Sequence, residues 1–162
     1  MSPIKLDAID LRILAEIQRE GRITKLKLAE RVNLSPTPCW ERLRRLEQAG
    51  IIAGYHARIN LERFAPAAMV LMEVVLKRHQ HSDFVRFEEA VCDIPEIVAC
   101  YATGGGIDYM LKVVARDVDN YQRLVDRMLI ADIGIDRYFT YIVTKPVKES
   151  PELPLDRLLA RP

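Results

Sequence analysis

The chain predicts an α+β fold in two parts, a small all-helical head followed by a mixed sheet-and-helix body. Three observations lead there. Between Asp7 and Gly50 the apolar residues recur at three- and four-residue spacing in three short runs, each opened by a residue that caps helices. From Ala68 to Lys145 strand-length apolar runs take over, interrupted by two amphipathic helices. The charge changes in the same place. Residues 1–60 hold 11 Lys and Arg against 7 Asp and Glu, a balance of +4, and residues 61–162 hold 13 against 16, a balance of −3. With 162 residues, 49% hydrophobic and 29% charged, the composition is that of an ordinary soluble protein.

In the head, Asp7 caps a first helix that runs to about Glu20, with Ile9, Ile13, Leu14 and Ile17 on one stripe and Gly21 as its stop. Thr24 caps a second helix and turns Leu28, Ala29 and Val32 inward; Ala29 is small enough for a following helix to cross closely. Asn33 sits at the bend, where asparagine tolerates a left-handed backbone. Ser35 caps the third helix, and Pro36 and Pro38 fall in its first turn, where no helical N–H bond is lost. Cys39, Leu43 and Leu46 form its core face. Two short helices joined by a tight turn, the second with an arginine-rich outer face, are the layout of a winged or plain helix-turn-helix, whose second helix enters the DNA major groove.

That outer face carries Thr37, Glu41, Arg44 and Arg45, with Trp40 on the flank. Arg44 suits two hydrogen bonds to guanine or a phosphate clamp, and Thr37 a phosphate or a thymine methyl. Glu41 suits cytosine N4, or holds Arg44 or Arg45 in place. Lys25, Arg42 and Arg45 suit the DNA backbone, and Ser35 and Pro38 complete the DNA-facing set at the helix start. The plainer alternative is a solvated face of a packing helix; the capped helix–turn–helix spacing counts against it.

Ile51 to Asn60 alternates as a strand, and a loop then reaches Pro66. Ala68 to Lys77 reads as a strand, followed by a helix capped by Ser82 that carries Phe84, Phe87 and Val91. Ile97 to Thr103 and Tyr109 to Ala115 are strands, Val118 to Leu129 a helix presenting Tyr121, Leu124, Val125 and Met128, and Ile135 to Lys145 the last strand. The order β-α-β-β-α-β is a ferredoxin-like sandwich, four antiparallel strands with both helices on one face. Met69, Leu71, Val113, Tyr141 and Val143 are candidates for the other face, the alternation in these strands being too imperfect to fix sides, and the bareness of that face argues for dimerisation. The proline-bearing tail is expected outside the compact fold, with Leu155, Leu158 and Leu159 able to form one helical turn that docks on a neighbour. The domain organisation is therefore residues 1–50 as helix-turn-helix DNA-binding head, 51–66 as linker with connecting strand, 67–148 as ferredoxin-like domain that oligomerises and 149–162 as tail.

A second motif lies at residues 100–111, CYATGGGIDYML. Three glycines between two strands permit unusual backbone angles and close approach of a small ligand. Asp108 beside free backbone N–H groups suits an α-amino acid, the carboxylate taking its ammonium and the amides its carboxylate. A plain hairpin turn explains the same residues, and the residues alone leave both readings open.

The run SPTPCWERLRRLEQAGII with GYHARIN after it resembles the recognition helix and exit strand of the Lrp/AsnC (leucine-responsive, feast/famine) regulators, the serine-proline-threonine-proline-cysteine start being its strongest mark. Asn33 stands where that family often has glycine, and Trp40 where a smaller or aliphatic residue is common. Gly105, Asp108 and Tyr109 match the family's glycine-x-x-aspartate-tyrosine turn, whereas Gly106 replaces an acidic or polar residue and Gly104 a small hydroxyl residue. The resemblance spans about residues 5–148. It implies a cytoplasmic, nucleoid-associated transcriptional regulator with a RAM-type ligand-binding domain. It also implies a double-stranded DNA operator, homodimers assembling to tetramers or octamers, an amino acid or derivative as effector, and no cofactor. The effector site it implies comprises Gly104, Gly105, Gly106, Asp108 and Tyr109, with Thr103, Thr140 and Tyr141 nearby.

Other chemistry finds little support. Cys39, Cys92 and Cys100 are scattered within apolar patterns and read as buried reduced thiols. His56, His79 and His81 lack metal-pair spacing, no nucleophile elbow is present, and no GK[ST] follows the glycines. No run approaches the ~18 apolar residues of a membrane span, and the first residues lack a signal peptide's apolar core. No enzyme is expected. Two other readings fit part of the pattern: a nucleoid-organising DNA-binding protein without an effector, and a small-molecule enzyme or sensor of ferredoxin-like fold using Asp108 and Tyr109 as acid and base.

Overall fold

The computed structural model describes residues 5–63, 65–150 and 152–158. They form two compact units, one of residues up to Arg58 together with those from Lys148 on, the other from Ile59 to Val147. The head contains α1 (Ala8–Arg19), α2 (Lys25–Arg31) and α3 (Pro36–Gln48). Asp7 accepts the N–H groups of Ile9 and Asp10, both at 2.9 Å, and Asp10 reaches back to the Asp7 N–H at 3.1 Å. This reciprocal box satisfies N–H groups that a helix start leaves without partners. Thr24 accepts from the Lys27 N–H at 3.3 Å. Ser35 holds the cap position of α3 without a side-chain capping bond. Asn33 takes φ 55°, the left-handed bend its position demanded, whereas Gly21 is not left-handed and α1 ends at Glu20, whose N–H donates to the Glu16 carbonyl at 2.9 Å.

Ile13, Leu14, Leu28, Ala29, Val32, Cys39, Leu43 and Leu46 form the buried core of the head. Beside it lies a fully buried carboxylate, Asp10. Its Oδ1 accepts from Arg42 Nη1 at 2.9 Å and its Oδ2 from Arg45 Nη2 at 2.6 Å, while the same Arg42 nitrogen reaches Asp7 Oδ2 at 2.6 Å. The N-terminus of α1 is thereby fastened to α3 by charge-assisted bonds that join residues 32 and 35 positions apart.

Two expectations about this unit are corrected. Ile51 to Asn60 forms no strand, because the chain places no neighbouring strand beside it to complete a ladder, and the head carries no wing strand among the described residues. The tail is not outside the fold. Leu153 donates its N–H to Gln18 Oε1 at 2.8 Å and its carbonyl accepts from Gln18 Nε2 at 3.4 Å, and Leu155, in the short α6 (Leu155–Leu158), packs on the head's core. A cleft of about 610 Å³ lies there, lined by Leu14, Ile17, Tyr55, His56 and Leu153 among others. Leu158 is largely exposed; Leu159 lies outside the described residues.

The second unit is the expected sandwich: β1 (Ala68–Leu76), α4 (His81–Cys92), β2 (Ile97–Ala102), β3 (Tyr109–Ala115), α5 (Val118–Ile130) and β4 (Ile135–Ile142). The sheet order is β2-β3-β1-β4 with every neighbour antiparallel. Helix α4 opens before Ser82, with Gln80 at its cap and Asp83 accepting the Gln80 N–H at 3.3 Å. Val70, Met72 and Val74 of β1 and Leu111, Val113 and Ala115 of β3 turn toward the helices, against Phe87, Val91, Tyr121, Leu124 and Met128. Val113 therefore does not belong to the bare face. Its partner is Val70, and both are fully buried on the helix side. The opposite face presents Leu71 beside Tyr141, with Tyr101 and Phe139 exposed further out.

Removing the Asp10 carboxylate takes the acidic partner from Arg45, one of two from Arg42, and half the capping box from α1. We expect Asp10→Ala to lower the unfolding free energy by about 3 kcal/mol, measured by denaturant unfolding; an unchanged midpoint contradicts the clamp. The Asp10 backbone N–H, followed by Arg42, holds the Asp7 carboxyl below the ordinary carboxylate range. The stability Asp7 adds is thus present at neutral pH and falls away as the pH drops through that lowered value.

Candidate functional site

The surface of α3 turned away from the core divides its arginines. Arg44 is exposed and makes no hydrogen bond or ion pair among the described residues. Arg42 is spent on Asp7 and Asp10, with only 28% of its side chain exposed. Arg45 holds Asp10 with one nitrogen and keeps half its side chain in solvent. Arg42 is therefore not presented as a free backbone contact, contrary to its sequence assignment. Glu41 is exposed and holds neither Arg44 nor Arg45, since Asp10 does the latter. The signal for this was present as an acidic cap and an acid in the first turn of α1, Asp7 and Asp10, and as basic residues three apart in α3, although only the folded chain brings them together.

Thr37, Ser35 and Trp40 are exposed and Pro38 is half-buried. Lys25, the first residue of α2, places its Nζ 3.2 Å from the centroid of the Trp40 ring. Trp40 thus serves as a platform that fixes a cation between the two helices of the motif. The other side of α2 is held to α1 by Lys27 on Glu20 (3.2 Å) and by Arg31 on Glu16 and Glu20 (3.0 and 2.8 Å).

The glycine turn joins β2 to β3. The Thr103 N–H donates to the Asp108 carbonyl at 2.9 Å and its hydroxyl to the Ile107 carbonyl at 2.8 Å. Gly104, Gly105 and Gly106 are exposed, with open space around each, and Gly105 takes φ 144°, where a side chain would be strained. Asp108 is anchored on β1: its N–H donates to the Val74 carbonyl at 3.0 Å, and its Oδ2 accepts the Leu76 N–H at 2.8 Å. Its two carboxylate oxygens also lie 3.0 and 3.1 Å from Nε2 of His79, a residue that sequence reasoning did not select.

Strand alternation separates the remaining residues of the expected effector site. Tyr109 is buried on the helix side, its ring 4.6 Å from that of Phe87 and its hydroxyl donating to Glu88 Oε1 at 2.7 Å. Burial first, and Glu88 second, push that hydroxyl's pKa well up. Thr140 shares a 2.7 Å hydrogen bond with the Tyr121 hydroxyl, also on the helix side. Tyr141 faces the other way, its hydroxyl donating to Glu73 Oε2 at 3.2 Å. A single chain therefore does not gather Tyr109, Thr140 and Tyr141 around the glycines. Nor do Asp108 and Tyr109 form an acid–base pair, since their polar groups diverge onto β1 and α4.

Among the described residues no cluster of three or more His, Cys, Asp or Glu is placed to hold a metal, and no helix is long and apolar enough to cross a membrane. Cys39 is buried and Cys100 half-buried, whereas Cys92 is exposed, contrary to the expectation for all three. Burial, then Glu88, pushes the Cys100 thiol up to about 11.

Comparison with known proteins agrees with both halves. Residues 6–53 match a family model described as winged helix-turn-helix DNA-binding, and residues 69–153 match one described as Lrp/AsnC ligand binding domain. The transcriptional regulatory protein DoeX of Halomonas elongata is 54% identical over 145 residues, covering 90% of this chain and 92% of that protein. The leucine-responsive regulatory protein of Escherichia coli K12 is 40% identical over 148 residues, covering 91% and 90%. The crystal structure of a transcriptional regulator from Neisseria meningitidis in complex with L-methionine superposes with a TM-score of 0.89 at 33% identity, covering 96% of this chain and all of that one. With a DNA-reading head, a four-stranded ligand-domain sandwich and relatives of this kind, the chain belongs to the Lrp/AsnC family of transcriptional regulators.

Proposed function

We propose that this regulator places α3 in the major groove of a double-stranded operator and answers to an amino acid or a close derivative bound near the glycine turn. The observation that carries the first part is the division of arginines on α3: Arg42 is engaged by Asp7 and Asp10, Arg45 holds Asp10 with one nitrogen and keeps half its side chain in solvent, and Arg44 has no partner among the described residues. Arg44 reads a base edge, Thr37, Trp40 and Glu41 line the groove beside it, and Lys25, Ser35, Pro38 and the exposed half of Arg45 meet the phosphates. Arg42 acts through the helix it holds.

The chain acts as a homodimer or larger. The apolar side of the sheet, with Leu71, Tyr101, Phe139 and Tyr141 exposed, is the surface that a second copy covers, and pairs of dimers build the tetramer or octamer. Two heads per dimer then match half-sites about one helical turn apart. The L-methionine held by the Neisseria regulator supports an amino-acid effector. Its site is the open turn from Thr103 to Asp108, completed by a neighbouring copy, because Tyr141 and Thr140 face opposite sides of their own sheet. The effector shifts assembly only by its difference in affinity for the two assemblies. No cofactor enters this scheme, and the protein works on DNA in the cytoplasm.

Arg44→Ala is expected to weaken specific operator binding by about 1–3 kcal/mol while non-specific binding changes little, measured by gel-shift titration at fixed salt; unchanged specific affinity removes Arg44 from base reading. Asp108→Ala is expected to retain operator affinity and lose the response to L-methionine or to whichever amino acid the intact protein answers. A full response in that variant places the effector elsewhere.

A further inference from the structure

We propose that His79 is a latch on the effector site: it occupies the carboxylate that an amino acid's ammonium requires, so the ligand binds by displacing it. The inference rests on the effector reading above and extends it to the site's regulation and selectivity.

The Asp108 carboxylate has two partners of unequal mobility. The Leu76 N–H is part of β1 and reaches Oδ2 at 2.8 Å. His79 follows the strand end, is 58% exposed, and sets Nε2 within 3.0 and 3.1 Å of both oxygens. An arriving ammonium needs the solvent side of this carboxylate, and His79 is the group that stands there and can swing away. The imidazole is held in place from the other side by Phe84 of α4, ring centroids 5.9 Å apart, and Phe84 in turn meets Tyr109 at 6.3 Å. The latch thus has a packed rest position as well as a hydrogen bond.

One consequence follows for the ligand. A molecule with a free ammonium regains at Asp108 the charge-assisted interaction, whereas a neutral or acylated amine does not, so the latch selects for free amines. The groups facing His79 are the Asp108 carboxylate from the β2–β3 turn and the uncharged Phe84 ring from α4. Lys77 and Arg78 precede it in the chain, Lys77 being engaged with Asp132 of the α5–β4 turn at 2.7 Å.

The test is isothermal titration calorimetry on the full chain and its variants. The probes are L-methionine and the other proteinogenic amino acids one at a time, with N-acetyl-L-methionine as the probe lacking an ammonium. His79→Ala is expected to bind the accepted amino acid about threefold more tightly than the intact protein. His79→Gln, which keeps a donor toward Asp108, is expected to bind it like the intact protein. Asp108→Ala is expected to bind none, and N-acetyl-L-methionine to gain nothing from either His79 change. Asp108-dependent binding that His79→Ala leaves unchanged or weakens overturns the latch and leaves the effector reading intact. Absence of binding to the intact protein and to every variant overturns the effector reading, and the latch with it.

Discussion

The head depends on one buried carboxylate. Asp10 has no exposed surface, and an acid so placed is tolerated only when its charge is met at close range. Arg42 and Arg45 meet it, one on each oxygen, and Asp7 shares the Arg42 guanidinium while capping the same helix. The position of α3 relative to α1 is thereby set by directional bonds in addition to the non-directional packing of Ile13, Leu43 and Leu46. Because those bonds leave from one side of α3, the other side is free, and Arg44 lies there. The arginines of α3 are thus divided between two faces, Arg42 and Arg45 toward Asp10 and Arg44 away from it.

In the sheet the corresponding constraint is the two-residue alternation of the strands. It sends neighbours such as Asp108 and Tyr109, or Thr140 and Tyr141, to different surroundings. Tyr109 becomes part of an aromatic core with Phe84 and Phe87, and its hydroxyl is satisfied by Glu88. Asp108 is tied across the end of β1 and takes His79 as its outer partner. The glycines between β2 and β3 remain open to solvent, which is the condition for a ligand, or a neighbouring subunit, to approach the backbone. A hairpin whose loop had packed on its own strands would not offer that room.

The tail gives the chain a second passage between its units. After β4 it returns to the head, where Gln18 uses both ends of its amide to hold the backbone of Leu153. Such pairing recognises backbone and carries no sequence signature in the tail itself. The head is thus connected to the sandwich by covalent chain on both sides, through the segment after Arg58 and the segment before Lys148.

How much of this was legible depends on the range of each interaction. Caps at Asp7 and Thr24, the left-handed bend at Asn33, the core stripe of Cys39, Leu43 and Leu46, and the β-α-β-β-α-β order follow from spacings within a turn or a strand, and local spacing is what a linear sequence records. The tertiary structure alone decided which arginine is free, because Asp10 and its partners lie 32 and 35 residues apart. It likewise put Val113 on the helix side, denied Ile51–Asn60 a ladder partner, brought Leu153 to Gln18 across 135 residues and set His79 against Asp108. Each of these is a choice of partner made in space. A residue's type and its neighbours in the chain specify that a partner is required, and packing specifies which one it meets.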